Sequence, residues 1–306
     1  MRSLVTGAGG FVGHHLMAHL QAAGDEVVGT DRSTDGLDIL DAPALLERFR
    51  RISPEVVYHL AGASDVGGSF ETPQNTFRAN AEGTLNVLWA AREASVARVL
   101  TVGSADVYGK VTPEELPLTE DSDLRPTSPY AASKVAAEAV ATQAHLGFGQ
   151  HVVTVRPFNH LGPGQSTRFV APALAERIAR NERDGRSELQ VGNLSPRRDF
   201  TDVRDVVRAY RLLVLHGEAG VTYNVCSGVD IAISELAASL VALSSTDQEL
   251  VPDPQLQRPV DIPVLRGDAS RLRSATGWCP SIALGDTLAD LLDDMRTRVA
   301  AEARSR

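Results

Sequence analysis

The chain begins with a stretch that strongly restricts its fold, LVTGAGGFVG at residues 4–13. The apolar residues predict a short strand, and three glycines spaced three apart predict a tight turn that leads at once into a helix. Such glycines allow a sharp turn, a close approach of backbone to a pyrophosphate, and close packing of the helix on the sheet. The free N–H groups at the start of the helix favour phosphate oxygens. We therefore predict a dinucleotide site, with contacts from Gly7, Gly10, Phe11, Val12 and Gly13.

The second predicted strand supports this site, because residues 26–30 lead directly to Asp31. Without that context the glycines would indicate only an ordinary strand-to-helix turn. An acid at this point can bind a ribose 2′-hydroxyl and repels a 2′-phosphate, so NAD(H) is favoured over NADP(H). Arg32 follows and can receive a 2′-phosphate, which leaves NADP(H) open. We also predict cofactor contacts from Asp38 and Ile39, where Asp38 either reaches the adenine amine or is a solvated loop acid.

Composition limits the classes of function. The 306 residues form one large domain or two smaller ones, and 43% hydrophobic with 23% charged residues is typical of a globular protein. The net charge of −9 argues against nucleic acid or an anionic membrane as partner but allows an anionic small molecule. Cys226 and Cys279 predict buried thiols without a disulfide framework, and a cytoplasmic location. We expect no membrane span, no signal peptide and no metal site.

Predicted strands and helices alternate through the first half of the chain. This pattern is typical of an α/β fold with a doubly wound parallel sheet of the Rossmann type. The predicted strands after the first are 26–30, 56–61, 99–103 and 152–156, and the predicted helices are 14–23, 43–51, 80–95 and 130–145. We predict an NAD-binding Rossmann domain over residues 1–160.

The second half of the chain has a different pattern, with a turn-rich segment at 157–165 and shorter elements after it. The predicted helices are 169–181, 202–215, 234–244 and 284–301, and the predicted strands are 189–192, 197–201 and 223–226, with an extended segment at 258–263. We predict a smaller C-terminal α/β substrate lobe over residues 161–306. Its strand near 222–226 is expected to return to the Rossmann sheet.

Small and polar residues follow two of the predicted strands, at the edge where open α/β sheets bind ligands. Small residues permit a close approach of backbone to a ligand, so Leu60, Ala61 and Ala63 are predicted to contact the cofactor. Strand 99–103 leads to Ser104, whose hydroxyl can bind a substrate oxygen. The sequence therefore predicts cofactor and substrate side by side at this edge.

Tyr130 and Lys134 lie four residues apart on a predicted helix and so share one face. A tyrosine with an ordinary pKa near 10 is a poor base at neutral pH. We expect a nearby ammonium and a positively charged nicotinamide to lower the pKa of Tyr130, and Lys134 to bind the nicotinamide ribose. By itself this spacing indicates no more than an exposed helix face. Together with Ser104 and the glycine turn it indicates hydride transfer.

These motifs resemble those of the extended short-chain dehydrogenases/reductases, in the NAD-dependent epimerase/dehydratase branch that acts on nucleotide sugars. The matching segments are TGAGGFVG at 6–13, HLAGAS at 59–64, SADVYG at 104–109, SPYAASK at 128–134, RPFNHLGPGQ at 156–165, RRDFTDVRD at 197–205 and RPVDIP at 258–263. They span essentially the whole chain. Within the branch they are most similar to GDP-4-keto-6-deoxy-mannose 4-reductases, then to GDP-mannose 4,6-dehydratases.

The resemblance implies roles for individual residues. Ser104, Tyr130 and Lys134 would be the catalytic triad. The other implied contacts are Asn80 and Pro157 with the cofactor, Ser64 with the substrate, Asn159 with the sugar or its phosphate, the Val170 backbone with the nucleotide base, and Arg198 and Arg258 with the diphosphate. Arginine forks match phosphate oxygens in geometry, although each arginine could instead form a surface ion pair.

Asp106 bears on which reaction the triad performs. Dehydratases of the branch resemble one another in carrying an acid at this position, usually Glu and often after another acid, whereas this chain has Ala105 and Asp106. This disfavours a dehydratase, but reductases of the branch also carry an acid here, and a loop carboxylate is the alternative. A reductase is favoured, and a 4-epimerase stays open because Asp31 is typical of epimerases that retain NAD. A non-catalytic dinucleotide sensor is a remote alternative, since the whole triad is present.

The helices predicted at 80–95 and 130–145 carry small apolar residues on more than one face. One face would pack on the sheet and leave the other for a second subunit. Enzymes that this chain resembles dimerise through these two helices as a four-helix bundle. We therefore predict a homodimer that binds a nucleotide-diphosphate sugar.

Overall fold

The computed structural model describes residues 1–256 and 262–304. The first half alternates strands and helices. In chain order the elements are β1 (Arg2–Thr6), α1 (Phe11–Ala22), β2 (Glu26–Thr30), α2 (Ala42–Ile52), β3 (Val56–His59), α3 (Pro73–Phe77), a π-helical turn (Arg78–Glu82), α4 (Gly83–Glu93), β4 (Arg98–Val102), α5 (Pro129–Phe148) and β5 (Val152–Pro157). None of the described helices is both long and apolar enough to cross a membrane.

The second half contains shorter strands and longer connections. Its elements are β6 (Asn159–Leu161), α6 (Val170–Asp184), β7 (Glu188–Val191), β8 (Arg197–Asp202), α7 (Val203–His216), β9 (Thr222–Val225), β10 (Asp230–Ala232), α8 (Ile233–Ala242), β11 (Glu249–Pro252), β12 (Val264–Leu265), α9 (Ser270–Thr276) and α10 (Leu284–Arg304). Helices α6, α8 and α10 enclose an apolar core of their own, centred on Leu174, Leu236 and Leu291.

Six strands among the described residues form one parallel sheet in the order β2-β1-β3-β4-β5-β9. The predicted doubly wound sheet is therefore confirmed. Strand β9 comes from the second half of the chain and pairs with β5, with Val155 opposite Tyr223. The chain leaves β1 for β2 on one side and then crosses to β3 on the other, so a crevice lies at the carboxyl ends of β1 and β3. The predicted boundary at residue 160 stays a prediction.

Both faces of the large sheet are covered. Leu4 and Val5 are adjacent on β1, so their side chains point to opposite faces. Leu4 belongs to a buried cluster with Phe49 and Val87 from α2 and α4, whereas Val5 belongs to one with Leu16 and Tyr210 from α1 and α7. The apolar side chains on both faces explain why the strands read as continuous apolar runs.

Beyond the large sheet, the described residues form two smaller ones. Strand β8 lies between β10 and β12 and also pairs with β6, and β11 pairs with β7. The turn-rich reading of 157–165 missed β6, and β10, β11, β12, α3 and α9 were not predicted either. None of these elements exceeds seven residues, which is too short for a clear periodicity. The expectation of two buried thiols is wrong for Cys279, which is exposed, whereas Cys226 is buried.

Candidate active site

The glycine turn lies at the carboxyl end of β1. Gly7 has φ +74°, and a Cβ there would lie 2.6 Å from the Ala61 nitrogen. The Gly10 amide donates to the Gly7 carbonyl at 3.0 Å, and a Cβ on Gly13 would collide with that same carbonyl. Helix α1 begins at Phe11, so its first amides lack intrahelical acceptors and face the crevice. The residues predicted to form this turn are thus brought together.

The acidic residues predicted to bind the adenosine lie after β2. Asp31 Oδ1 accepts hydrogen bonds from the Ser33 amide at 2.8 Å and the Ser33 hydroxyl at 2.5 Å. The Arg32 guanidinium is largely exposed, and its Nη1 lies 3.9 Å from Asp38 Oδ2. The carbonyl of the next residue, Ile39, accepts from Asn86 at 3.0 Å. Asp31 is therefore held in place, while Arg32 is free to turn toward a phosphate.

The loop after β3 is fixed to the helix that carries the tyrosine. The Leu60 amide donates to the Thr6 carbonyl at 3.1 Å, so the loop stays close to the glycine turn. Asn80 is buried; its Oδ1 accepts from the Ala63 amide at 2.9 Å, and its Nδ2 donates to Ser133 Oγ at 2.8 Å. Asn80 therefore ties this loop to α5. These hydrogen bonds give Asn80 a structural role, and its predicted contact with the cofactor stays a prediction.

Ser104, Tyr130 and Lys134 converge at the carboxyl end of β4. The Tyr130 phenol lies near Ser104, whose hydroxyl accepts from the Asp106 amide at 3.2 Å. Lys134 Nζ lies 5.9 Å from the centre of the Tyr130 ring and donates to the Val102 carbonyl at 2.8 Å. All three predicted members of the triad are buried next to one another.

Burial changes the charge properties of this group. It raises the pKa of Tyr130, the nearby Asp106 carboxylate raises it further, and the Ser104 hydrogen bond opposes both. The expected lowering of the phenol pKa included a positively charged nicotinamide and stays a prediction for the cofactor complex, whereas in the protein by itself desolvation is the largest contribution and raises the pKa. Burial also lowers the pKa of Lys134 to about 8, and Glu138 opposes that shift. Tyr130 is thus protonated at neutral pH.

The predicted substrate contacts are less buried than the triad. Ser64 and Asn159 are exposed, and Val170, the first residue of α6, is partly exposed. Arg198, on β8, is half-buried, and its Nη1 donates to the Arg197 carbonyl at 2.9 Å. Pro157, which was predicted to contact the cofactor, is buried as the last residue of β5. Arg258 lies outside the described residues, as does most of segment 258–263.

Sequence reasoning missed Asp199, which organises the substrate side. This fully buried carboxylate accepts from the Ser227 amide at 2.8 Å, the Ser227 hydroxyl at 2.5 Å and the Gly228 amide at 2.9 Å. Burial raises the pKa of Asp199, and these donors oppose the shift. Asp199 follows Arg198 on β8, so it fixes the strand from which that guanidinium extends. The motif at 197–205 contains Asp199, but nothing local in it indicates partners 28 residues away.

No group of three or more His, Cys, Asp or Glu side chains in the described part of the chain could hold a metal ion. A parallel sheet with this turn at its crevice, and a serine, tyrosine and lysine beside it, defines a dinucleotide-dependent oxidoreductase fold.

Comparison with known proteins identifies the family. The chain belongs to the NAD dependent epimerase/dehydratase family, whose sequence profile matches residues 3–226. It is 39% identical over 303 residues to GDP-6-deoxy-D-mannose reductase from Pseudomonas aeruginosa, covering 98% of this chain and 99% of that protein.

Two solved structures are similar over almost the full length. RMD from Pseudomonas aeruginosa, complexed with NADPH, has a TM-score of 0.90 and 38% identity, covering 97% of this chain and 100% of that one. UDP-glucose 4-epimerase from Thermus thermophilus, in complex with NAD, has a TM-score of 0.87 and 28% identity, covering 97% of this chain and 99% of that one. The chain is an NAD(P)-dependent nucleotide-sugar oxidoreductase of this family, as the motifs predicted.

Proposed function

We propose that this protein reduces the C4 ketone of a nucleotide-diphosphate 4-keto-6-deoxyhexose, and that the nucleotide is GDP. The observation that carries the proposal is the convergence of the buried Ser104, Tyr130 and Lys134 side chains at the carboxyl end of β4, with Lys134 Nζ 5.9 Å from the centre of the Tyr130 ring. Reduction of a ketone needs a proton donor at the carbonyl oxygen, and a protonated phenol is one. The similarity to GDP-6-deoxy-D-mannose reductase supports the choice of a GDP-sugar.

The glycine turn fits a dinucleotide. At Gly7 and Gly9 an added Cβ would lie 2.6 Å from Ala61 N and 2.8 Å from Ser33 Oγ, so the loop excludes side chains where a pyrophosphate needs backbone. The first amides of α1 would bind the pyrophosphate, Asp31 the adenosine ribose, and Lys134 the nicotinamide ribose. When bound in its reduced form, the nicotinamide supplies the hydride for C4.

The chain itself supplies the proton and the charge balance. Tyr130 donates its phenolic proton to the ketone oxygen as that oxygen gains negative charge. Ser104 Oγ provides a second hydrogen bond to the same oxygen and keeps it near the phenol. The Lys134 ammonium stabilises the phenolate that remains.

The nucleotide would lie along the substrate side of the crevice. Arg198 extends from a strand fixed by Asp199, so its guanidinium is well placed to bind diphosphate oxygens. Asn159 would contact the sugar and the backbone of Val170 the base. Arg168 Nη1 lies 3.7 Å from Asp65 Oδ2. This contact links the loop before α6 to the loop after β3, and both loops would border the sugar.

The test is a substrate panel of GDP-, UDP-, CDP- and dTDP-4-keto-6-deoxyhexoses, each with NADH or NADPH. We expect one cofactor molecule oxidised for each sugar reduced, with the GDP-sugar turned over fastest, measured by absorbance, mass spectrometry and NMR. Turnover of no 4-keto sugar would contradict the proposal. Formation of a 4-keto-6-deoxy sugar from GDP-mannose would instead indicate a dehydratase.

A 4-epimerase is the second candidate, and Asp31 is the observation that favours it. An acid at this position favours NAD that stays bound to the enzyme, and the structure of the Thermus thermophilus epimerase contains NAD. An epimerase would contain tightly bound nucleotide after purification and interconvert nucleotide hexoses without added cofactor.

We propose that NADH is preferred to NADPH. Asp31 is held by Ser33 at the end of β2, where its charge would oppose a 2′-phosphate. Of the two similar structures, the Pseudomonas one contains NADPH and the Thermus one contains NAD, so both cofactors belong in the test. The ratio of kcat/KM for the two cofactors tests it, and a large advantage of NADPH would contradict it.

We also propose a homodimer formed through α3, α4 and α5. Large apolar side chains on these helices are about half exposed: Phe77 at 49%, Leu85 at 48% and Phe148 at 55%. Sedimentation at micromolar concentration should give a dimer, and Leu85→Glu should weaken it. The control is Val229→Glu, at an exposed apolar position in the C-terminal half, and a monomeric parent protein would contradict the proposal.

A further inference from the structure

Three charged side chains are buried beneath the candidate active site. Lys134, Glu138 and Arg156 are only 9%, 8% and 6% exposed. Burial of a charge is costly unless a partner compensates it, so the arrangement of such groups has consequences for their charge states. Lys134 belongs to the triad, but the function above does not use the other two.

Glu138 is one turn after Lys134 on α5 and is bound by Arg156 from β5. Arg156 Nη2 donates to Glu138 Oε2 at 2.8 Å, and Nε lies 3.1 Å from both carboxylate oxygens. Arg156 Nη1 also donates to the Tyr108 hydroxyl and to the Glu120 carbonyl, both at 3.0 Å. The guanidinium is thus held from three sides, which fixes the carboxylate in turn.

The same carboxylate lies against the backbone that positions the lysine and the serine. A Cβ on Gly103 would be 2.5 Å from Glu138 Oε1, so the absence of a side chain there admits the carboxylate. Gly103 lies between Val102, whose carbonyl accepts from Lys134, and Ser104. Glu138 therefore contacts the segment that carries two parts of the site.

Few charged groups face Lys134. From β3, His59 is neutral, because burial and the Lys134 charge lower its pKa to about 3. On α5 itself, Tyr130 is protonated and Glu138 is the carboxylate whose charge favours the ammonium. From β5, Arg156 stands behind Glu138, and Asp106, after β4, acts on Tyr130.

We propose that Glu138 is a positioning residue that keeps Lys134 charged and directed at the Val102 carbonyl, with Arg156 holding Glu138 in place. The inference rests on the proposed function only for the use of the ammonium in catalysis. Its physical part concerns the protein without substrate. The two parts can therefore be tested separately.

The sequence makes a direct test possible, because the chain contains only two lysines, Lys110 and Lys134. In protein labelled with ¹³C at lysine Cε, NMR titration follows both, and the exposed Lys110 is an internal reference. In Glu138→Gln we expect Lys134 to bind its proton about tenfold more weakly than in the parent protein, with the Lys110 titration unmoved. An unchanged Lys134 titration would overturn the proposal.

A matched control is available in the C-terminal half. Glu182 accepts from Arg296 Nε at 2.8 Å and Nη2 at 2.7 Å, which repeats the chemistry of the Glu138–Arg156 pair away from the lysine. Glu182→Gln should leave the Lys134 titration unchanged. If Glu138→Gln does not fold, Glu138→Asp is the test variant. It moves the carboxylate away by one methylene, so Lys134 should again bind its proton more weakly. An unmoved titration in that variant would also overturn the proposal.

The catalytic part has its own readout. Because activity requires the ammonium, the alkaline limb of kcat should move to lower pH in Glu138→Gln, by the same factor as the NMR titration, with KM for the sugar little changed. If kcat is lower but the alkaline limb of its pH profile stays where it is in the parent protein, Glu138 has a structural role only, and this result would contradict the proposal. If no 4-keto sugar is reduced but the Lys134 titration shifts, the proposed function fails while the effect of Glu138 on Lys134 stands.

Discussion

The two sides of the crevice are built differently. On the Rossmann side, Ser104, Tyr130 and Lys134 are more than nine-tenths buried, with Ser104 just after β4 and the other two on α5. On the substrate side, Asn159 is exposed and Arg198 half-buried, on short strands of a second sheet. The side proposed to perform chemistry is closed to water, whereas the side proposed to recognise the sugar nucleotide is open.

This difference has a physical reason. Burial fixes the protonation of Tyr130 and brings the pKa of Lys134 close to neutrality, so the chemical groups are prepared before substrate binds. Recognition of a diphosphate needs a cation that the ligand can reach, and a partly exposed arginine on a strand fixed by Asp199 is suited to this. We therefore expect substitutions on the first side to change kcat and those on the second to change KM.

The largest effect is expected for Tyr130→Phe. Removal of the proton donor should lower kcat by about 10²–10⁴-fold, because no other group replaces it at the ketone oxygen. Binding of NADH, measured by fluorescence titration, should be retained, which separates the loss from misfolding. A variant with the parent's kcat would exclude the phenol from the mechanism and remove the distinction between the two sides.

A smaller effect is expected for Arg198→Ala. Loss of a charge-assisted contact with the diphosphate should raise KM for the nucleotide sugar by about 10- to 100-fold, with kcat changed much less. Steady-state kinetics measure both. Arg186→Ala, at an exposed position after α6, is the control and should have no effect. A fall in kcat alone would place Arg198 on the chemical side instead.

Asp31→Ala should shift cofactor preference by about tenfold toward NADPH, because the carboxylate no longer repels a 2′-phosphate. The measurement is the ratio of kcat/KM for NADH and NADPH. Ser33→Ala keeps the charge but removes the hydroxyl that binds Asp31, so it should shift the ratio less. If the parent protein, Asp31→Ala and Ser33→Ala all have the same ratio of kcat/KM for NADH and NADPH, Asp31 does not determine the cofactor preference.

The smallest effect is expected for Glu182→Gln, which concerns stability. The Arg296 hydrogen bonds lower the pKa of Glu182 to about 2. Because this folded-state pKa lies below the ordinary Glu value, the pair stabilises the protein above about pH 4.5 and its contribution is lost as the pH falls toward 2. At pH 7 the variant should have a Tm about 2–6 °C lower, and the difference should shrink below pH 4.5. Thermal unfolding at several pH values measures this, and a constant difference would contradict it.

Sequence reasoning succeeded where the relevant spacing is short. The glycine turn precedes a helix, Tyr130 and Lys134 are four residues apart on one, and strand ends carry Ser104 and Ala61, so local geometry was enough to group them. It failed for the partners of Asp199, which are 28 or more residues away. It also missed the Glu138–Arg156 pair, since its members are 18 residues apart on a helix and a strand.

The sequence by itself determined the parallel sheet, the glycine turn and the grouping of the three side chains proposed to react, because periodicity and spacing act over a few residues. Only the tertiary structure decided their charge states. Desolvation depends on every element packed around a group, so spacing along the chain does not give the pKa of Tyr130 or Lys134. The same holds for the burial of Glu138, which arises from contacts between distant parts of the chain, whereas the return of the strand near 222–226 to the large sheet was expected from the sequence, and β9 pairs with β5.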